Sequence, residues 1–343
     1  MSKRKIVIIT PVRDEAWILE RFLLAVSEIA DHVLVLDQQS EDQSREICAR
    51  FPKVTVIKNP SGDYAENTRS KIMVESARTL FGAGNVLVAL DADEILASDS
   101  LQPAAWEKIR ALEPGDVICM EKVEMLVHPA RGLRTFKWFP FGLVDDGSPF
   151  EGRLIHSNRV PLRPGAPRYH AADLKVMHFA RLRPVEYAAR QAFYCMVENV
   201  NRSKTHRVRN CFYSPRFFLK FGVAAAEPCP PEWFVWFTAK GIDLWSYRSE
   251  RFNSFHKRAL FLFERHGSGR FRWDDIWWED WEAARQHFVG CGVAGIPAQP
   301  LRRPGRLVRF GTGQLLGIYG VINLGVALAR KLVERRESPV LDV

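Results

Sequence analysis

Three carboxylates fall within four residues at Asp91-Ala92-Asp93-Glu94, directly behind the uninterrupted apolar run Val86-Leu87-Val88-Ala89-Leu90. Two carboxylates set this close repel one another unless a cation or a basic ligand joins them. Oxygen ligands at such spacing suit Mg²⁺ or Mn²⁺, hard cations that hold a diphosphate. The same acids would also serve as solvated caps of a strand-to-helix turn, because Asp-x-Asp is short and common. The choice between the two depends on where the chain delivers them.

Val86 to Leu90 is short, rich in β-branched residues and set behind the break Gly82-Ala83-Gly84-Asn85, which reads as a strand buried on both faces. Ile6 to Ile9, Val33 to Leu36 and Val54 to Ile57 read the same way. Helices are expected between them. Asp14 is a plausible N-cap for one with Ile18, Phe22, Val26 and Ile29 at helical spacing, and Ser40 with Gln43 forms a capping box for one through Arg50. A longer helix is expected from about Ala65 to Phe81, closed by Gly82. Strand and helix thus alternate four times with short connections, the pattern of a doubly wound, mostly parallel α/β sheet. Ligands of such sheets lie at the carboxyl ends of the strands, so Thr10, Asp37 and Asp91 are expected to face one crevice. There is neither a G-x-G-x-x-G after the first strand nor a G-x-x-x-x-G-K, which disfavours the usual dehydrogenases and P-loop enzymes. A nucleotide diphosphate held here would have to be neutralised by metal and side chains. Asp37 could reach a base or ribose edge. Arg69, at the start of the long helix, could reach a phosphate or the base, or could be a solvated surface arginine.

Four segments together resemble family 2 glycosyltransferases. Thr10-Pro11-Val12-Arg13-Asp14-Glu15 resembles their Pro-x-x-Asn-Glu opening. Leu36-Asp37-Gln38-Gln39-Ser40-Glu41-Asp42 resembles their Asp-Asp-Gly-Ser-Thr-Asp segment, with Gln38-Gln39 in place of the usual Asp-Gly or Thr-Gly. Asn67-Thr68-Arg69-Ser70 is similar to their Ala-Arg-Asn turn, and Leu90-Asp91-Ala92-Asp93-Glu94 to their metal-binding Asp-x-Asp. The segments occur in the family's order and spacing, over residues 5 to about 125 and more weakly to about 180. The resemblance implies a GT-A fold and transfer of a sugar from a nucleotide-diphosphate donor, normally with inversion. By motif position, Thr10, Val12 and Asp37 would line the base and ribose, and Arg69 would lie beside the nucleotide. Asp91 and Asp93 would hold ribose and Mg²⁺ or Mn²⁺ against the diphosphate. Glu94 would more naturally cap the turn that follows it.

Beyond Asp93 a helix near Pro103 to Leu112 and an alternating strand from Val117 to Val127 are expected. Arg153-Leu154-Ile155-His156 and Lys175-Val176-Met177-His178-Phe179 resemble segments of lipopolysaccharide-type members of the family. There a late histidine can complete the metal's coordination, so His178 is either a third ligand or a hydrogen-bonded core histidine. An inverting transfer also needs a general base for the acceptor hydroxyl. The relatives use a His-Glu pair shortly before the late histidine, but here Tyr169-His170-Ala171-Ala172-Asp173 has Ala171 at the glutamate's place. Asp173 is the first candidate base, Glu151 the second, and Asp145-Asp146 follow.

The remainder organises these parts. Residues 1–182 are expected to form the nucleotide-sugar and acceptor domain, 183–300 a helical, aromatic-rich extension, and 301–343 a basic, apolar tail helix. In the extension, helices are expected from Pro184 to Asn199, Ser249 to His266 and Glu279 to Val289. Its aromatic runs, such as Trp273 to Trp281, suit core packing by default, with sugar stacking or membrane-interface contact as alternatives. Six scattered cysteines without a C-x-x-C pair favour reduced thiols, and no secretory signal is visible, so a cytoplasmic protein is expected. The net charge of +9 suits phosphorylated substrates or an anionic membrane; the strand-end carboxylates argue against nucleic acid. Leu315 to Ala329 is apolar and flanked by Arg302 to Arg309 and by Arg330 to Arg336. At about 1.5 Å per residue it reaches roughly 23 Å, short of a bilayer's roughly 30 Å core. It would lie at an anionic inner membrane face or pack as a buried helix. The overall expectation is a metal-dependent glycosyltransferase acting on a glycan or lipid-linked acceptor. The alternative is a non-catalytic nucleotide- or glycan-binding scaffold.

Overall fold

The computed structural model describes residues 3–61, 65–126, 131–153, 157–201, 210, 213 and 226–305. Apolar runs become strands β1 (Ile6–Val12), β2 (His32–Asp37), β3 (Val54–Lys58) and β4 (Val86–Ala89). The intervening segments form helices α1 (Leu19–Ile29), α2 (Ser44–Cys48) and α3 (Glu66–Phe81). β3, β2, β1 and β4 pair in parallel in that order, as the alternation predicts. Successive residues of β1 feed opposite cores: Ile6, Ile8 and Val12 join the apolar cluster with α1, and Val7 and Ile9 join the one with α3. That double burial explains the lack of polar alternation in these strands.

The sheet then becomes mixed. After the short β5 (Glu94–Leu96) and helix α4 (Pro103–Arg110) come β6 (Val117–Met125), β7 (Arg131–Val144) and β8 (Arg168–His178). Here β6 and β8 pair in parallel, and the other pairs are antiparallel. The order is β3-β2-β1-β4-β7-β6-β8-β5, with the two-residue β9 (Glu227–Pro228) against β7. Two glycines are needed for geometric reasons. Gly82 ends α3 at φ 90°, a region that favours glycine. Gly142 lies where β7 crosses β4, and a Cβ there would stand 2.5 Å from the Leu87 carbonyl oxygen.

Two local expectations need correction. Asp14 does not cap α1, whose N-cap is Ile18 without a side-chain bond. Instead Asp14 Oδ1 accepts the Glu41 N–H at 2.8 Å, and Ser40 Oγ accepts the Asp14 N–H at 3.2 Å. The Ser40–Gln43 capping box is likewise absent, and α2 starts later, behind Gln43. Ser44 Oγ and Asp42 Oδ2 accept the N–H groups of Glu15 and Ala16 at 3.1 and 2.9 Å. These polar side chains staple the β1–α1 loop to the β2–α2 loop, a use that outcompetes local capping.

The chain divides into two units, residues 1–183 with 225–248, and 184–224 with 249–343. Residues 225–248 thus belong to the first unit although they lie between two segments of the second. There Ser98 Oγ donates to the Trp233 carbonyl at 2.8 Å and accepts the Trp236 N–H at 3.0 Å, which fixes helix α6 (Val235–Ala239). The second unit contains α5 (Pro184–Asn201), α7 (Ser254–His266) and α8 (Trp281–Gly290). Two of its tryptophans are core residues: Trp277 and Trp281 are buried, and their indole N–H groups donate to the Phe271 and Ile276 carbonyls, each at 2.9 Å, whereas Trp273 is exposed. Five of the six cysteines are described and all five are free thiols. Among the described residues no helix is long and apolar enough to cross a membrane. The tail from 306 on, Cys211 and Leu154 to His156 lie outside the described residues.

Gly142→Ala should force β7 away from β4 and cost about 1–3 kcal/mol, as overpacking does. Urea unfolding would read this as a lower midpoint with unchanged slope.

Candidate active site

Pairing in register brings the strand-end residues together. Val12 lies beside Asp37 on β2, and Ile9 beside Ala89 on β4, so the chain leaves β1, β2 and β4 at one edge of the sheet. Asp37, Asp91 and Asp93 all lie there, as the alternating pattern predicts. Asp37 is 2% exposed; its Oδ1 accepts the Ser40 N–H at 3.1 Å, and Arg45 stands 4.0 Å from its Oδ2. Gln39 next to it has φ 61°. Glycine adopts that left-handed conformation freely, and a non-glycine residue adopts it at a cost of about 1–2 kcal/mol. Arg69 sits half-buried in the first turn of α3.

Thr10 and Val12 are placed differently from the expectation. Both side chains are buried in the sheet, at 0% and 1% exposure, with Val12 in the α1 core. The Val12 carbonyl already accepts the Gln38 N–H at 2.8 Å. Alternation along β1 turns both residues inward, so their side chains offer little surface for a base or ribose.

The acidic turn is tightly built. The Glu94 N–H donates to the Asp91 carbonyl at 2.9 Å, and Glu94 Oε2 accepts the Asp91 N–H at 2.9 Å, so Glu94 caps the turn it ends and not the one that follows. It also does more than that. Fully buried, it receives Lys122 Nζ at 2.6 Å and both terminal nitrogens of Arg159, one of them at 3.0 Å. Arg159 Nη2 also reaches Asp91 Oδ2 at 2.7 Å. Burial alone would raise the Glu94 pKa, but Arg159, Lys122 and His178 outweigh it and hold the carboxyl well below its usual range. Arg159 is likewise kept cationic: burial opposes its charge, while Asp91 and Glu94 favour it.

His178 ends β8 opposite Glu94 on β5. Its Nδ1 lies 2.9 Å from Glu124 Oε1 and its Nε2 lies 3.4 Å from Asp93 Oδ1. Burial opposes the imidazolium, but Glu124 and Asp93 prevail and raise its pKa to about 9. Glu124 is lowered to about 2; burial works the other way, and His178, Lys122 and the nearby Arg181 overcome it. The donor chemistry at Asp93 and His178 fits a divalent cation. A carboxylate on the far nitrogen orients a ligating histidine, as Glu124 does here, and the cation would replace the proton on Nε2. As placed, Asp91 is engaged by Arg159, and among the described residues no three metal-ligating side chains converge.

The acids proposed as general base are dispersed. Asp173 is on β8, exposed and 3.8 Å from Lys108 on α4. Five residues of strand from His178, at about 3.3 Å each, put it roughly 16 Å from the acidic turn. Asp145 accepts Arg78 Nε at 3.1 Å and Nη2 at 2.6 Å, and Asp146 pairs with Arg163 at 2.6 Å. Both follow Val144, which pairs with Val86 at the start of β4, so they lie at the opposite end of that strand from Asp91. Glu151 is exposed on the β7–β8 connection that also carries Arg159. Ala171, at the position of the family's glutamate, is buried in the core. Sequence spacing did not reveal Arg159, Lys122 or Glu124. An arginine 68 residues from its partner leaves no local signal, though the alternation in β6 does set Lys122 and Glu124 two apart.

Residues 7–120 match the model of Glycosyl transferase family 2, about a third of the chain. No curated protein matches. Similar solved structures include S. aureus TarS, at 14% identity and TM-score 0.32, covering 60% of this chain and 42% of that one; the chain thus spans under half of that relative's length. Another is S. aureus TarS 1–349 in complex with UDP-GlcNAc, at 12% identity and TM-score 0.33, covering 82% and 83%. A third is the mannosyltransferase PcManGT from Pyrobaculum calidifontis in complex with GDP-Man and Mn²⁺, at 11% identity and TM-score 0.38, covering 94% and 87%.

A pH dependence follows from His178. Its folded pKa of about 9 lies above the ordinary 6.5. The resulting stability is therefore whole below about pH 6.5 and is lost as pH rises through about 9, on the order of 3 kcal/mol. In chelator, urea unfolding of the wild type should weaken across that window more than that of His178→Asn; parallel declines would contradict the imidazolium.

Proposed function

With residues 7–120 in Glycosyl transferase family 2, we propose that the protein is a metal-dependent, inverting glycosyltransferase. It transfers a sugar from a nucleotide-diphosphate donor to a glycan or lipid-linked acceptor. The observation that carries this reading is the acidic turn Asp91–Glu94 at the carboxyl edge of a parallel sheet, beside Asp37 and the start of α3. Asp37 would bind the nucleoside through its buried, oriented carboxylate. Arg69 would meet phosphate from the first turn of a helix, where the N-terminal dipole also favours anions. Asp93 and His178 would hold Mg²⁺ or Mn²⁺, with Asp91 beside them. Such an ion would neutralise the charge that develops on the departing nucleoside diphosphate. Glu124 would keep the His178 ring oriented with Nε2 toward Asp93.

The acceptor hydroxyl must lose its proton as it attacks the anomeric carbon. Of the acids considered, Glu151 is assigned this role. It is exposed on the connection that delivers Arg159 to the acidic turn, whereas Asp173, Asp145 and Asp146 lie elsewhere. The basic tail, residues 301–343, would hold the protein at an anionic membrane where a lipid-linked acceptor is found.

Glu151→Gln should lower kcat by about 10²- to 10⁴-fold, the range of a lost general base, with donor binding unchanged. Asp93→Asn should weaken donor binding in Mn²⁺ and leave the residual metal-free binding as it was. Full turnover in both variants would overturn the site, and donor binding without turnover in the wild type would favour a non-catalytic scaffold.

A further inference from the structure

The unexpected occupant of the acidic turn is a guanidinium. Arg159 Nη2 is shared between Asp91 Oδ2 at 2.7 Å and Glu94 Oε1 at 3.0 Å, and Nη1 is bonded to Glu94 Oε2. The rings of Phe139 and Phe141 lie against it, with centroids 5.2 and 5.4 Å from Cζ. A positive charge therefore sits on the carboxylate that would have to serve a divalent cation. The two anchors differ. Glu94 is wholly buried and is held a second time by Lys122, whereas the Asp91 side chain is one-third exposed. The Asp91 contact is thus the one that can be exchanged without uncovering a buried charge.

We propose that Arg159 is an internal counter-cation of the donor site: it competes with a divalent cation for Asp91 and, once displaced, turns its fork to the donor's diphosphate while Glu94 retains it. This rests on the glycosyltransferase reading for the donor, but not for the competition. The planar fork of arginine matches phosphate oxygens bidentately, and a lysine cannot reproduce this. Three effects follow from one residue. Asp91 and Glu94 are kept from repelling each other, metal and donor binding become coupled because each favours the rotated guanidinium, and the diphosphate gains a second cation beside the metal.

Mn²⁺ titration of the full chain without nucleotide, followed by paramagnetic resonance, tests the first half. An adjacent charge shifts such equilibria by one to three log units, so Arg159→Gln should bind Mn²⁺ about tenfold or more tighter than the wild type. For the second half, ADP, CDP, GDP and UDP are titrated in saturating Mn²⁺. The diphosphate bound best by the wild type should bind Arg159→Gln about tenfold more weakly, the worth of one charge-assisted pair. Arg159→Lys, which keeps the charge at Glu94, should leave Mn²⁺ affinity near that of the wild type and still lower diphosphate affinity. Mn²⁺ affinity in Arg159→Gln that is unchanged, weaker or absent overturns the competition; should that variant fail to fold, unaltered diphosphate affinity in Arg159→Lys overturns the proposal. If the wild type binds none of the four diphosphates, the donor reading fails while the Mn²⁺ result still decides the competition.

Discussion

A buried carboxylate that must stay ionised governs this site. Glu94 has no exposed surface, and burying an isolated charge is costly enough that it persists only with partners of opposite sign. Lys122 from β6 and Arg159 from the β7–β8 connection provide them. Because one Glu94 oxygen also accepts the Asp91 N–H, the ion pairs that hold Glu94 fix the main chain of the turn. The carboxylates of Asp91 and Asp93 are thereby presented from a rigid turn and not from a mobile loop. A second pair of contacts, Glu124 through His178 to Asp93, braces the other end of the turn.

The order of the sheet makes this possible. Parallel strands β2, β1 and β4 place Asp37 and the acidic turn on one edge, and the mixed strands β5, β6 and β8 bring their charged residues to the same turn. His178 lies opposite Glu94 in the β5–β8 pair and opposite Glu124 in the β6–β8 pair, so register alone assembles the Glu94, Glu124 and His178 backbones. The site is therefore a product of the mixed half of the sheet as much as of the parallel half, although the family match ends at residue 120.

Local chemistry was legible in the sequence where it depended on periodicity. Buried strands, the long α3 and its Gly82 stop all follow from spacing and residue type, and so does the delivery of Asp91 to a strand end. Where the expected caps are missing, polar side chains chose distant partners over near ones. Asp14, Ser40 and Asp42 bond across two loops, so neither expected helix cap forms. Val12 follows the alternation of β1 into the α1 core, and Thr10, two residues before it, is buried on the same face. Asp173 lies on a strand whose pairing with β6 shifts register after Cys119, and it faces Lys108. Arg159 could not be foreseen, because nothing near it in the chain marks it as the partner of Asp91. In the tryptophan-rich stretch, by contrast, Trp277 and Trp281 pack in the core, as its composition suggested first, while Trp273 is exposed.

The central claim is that a nucleoside diphosphate and a divalent cation meet at Asp91–Glu94. Thermal unfolding of the full chain with ADP, CDP, GDP and UDP, each with and without Mn²⁺, tests it most directly, since a ligand that binds only the folded state raises its stability with the logarithm of its concentration over Kd. The account predicts that at least one diphosphate raises Tm strongly with Mn²⁺ and weakly without it. No shift from any of the four, or a shift indifferent to Mn²⁺, would contradict it.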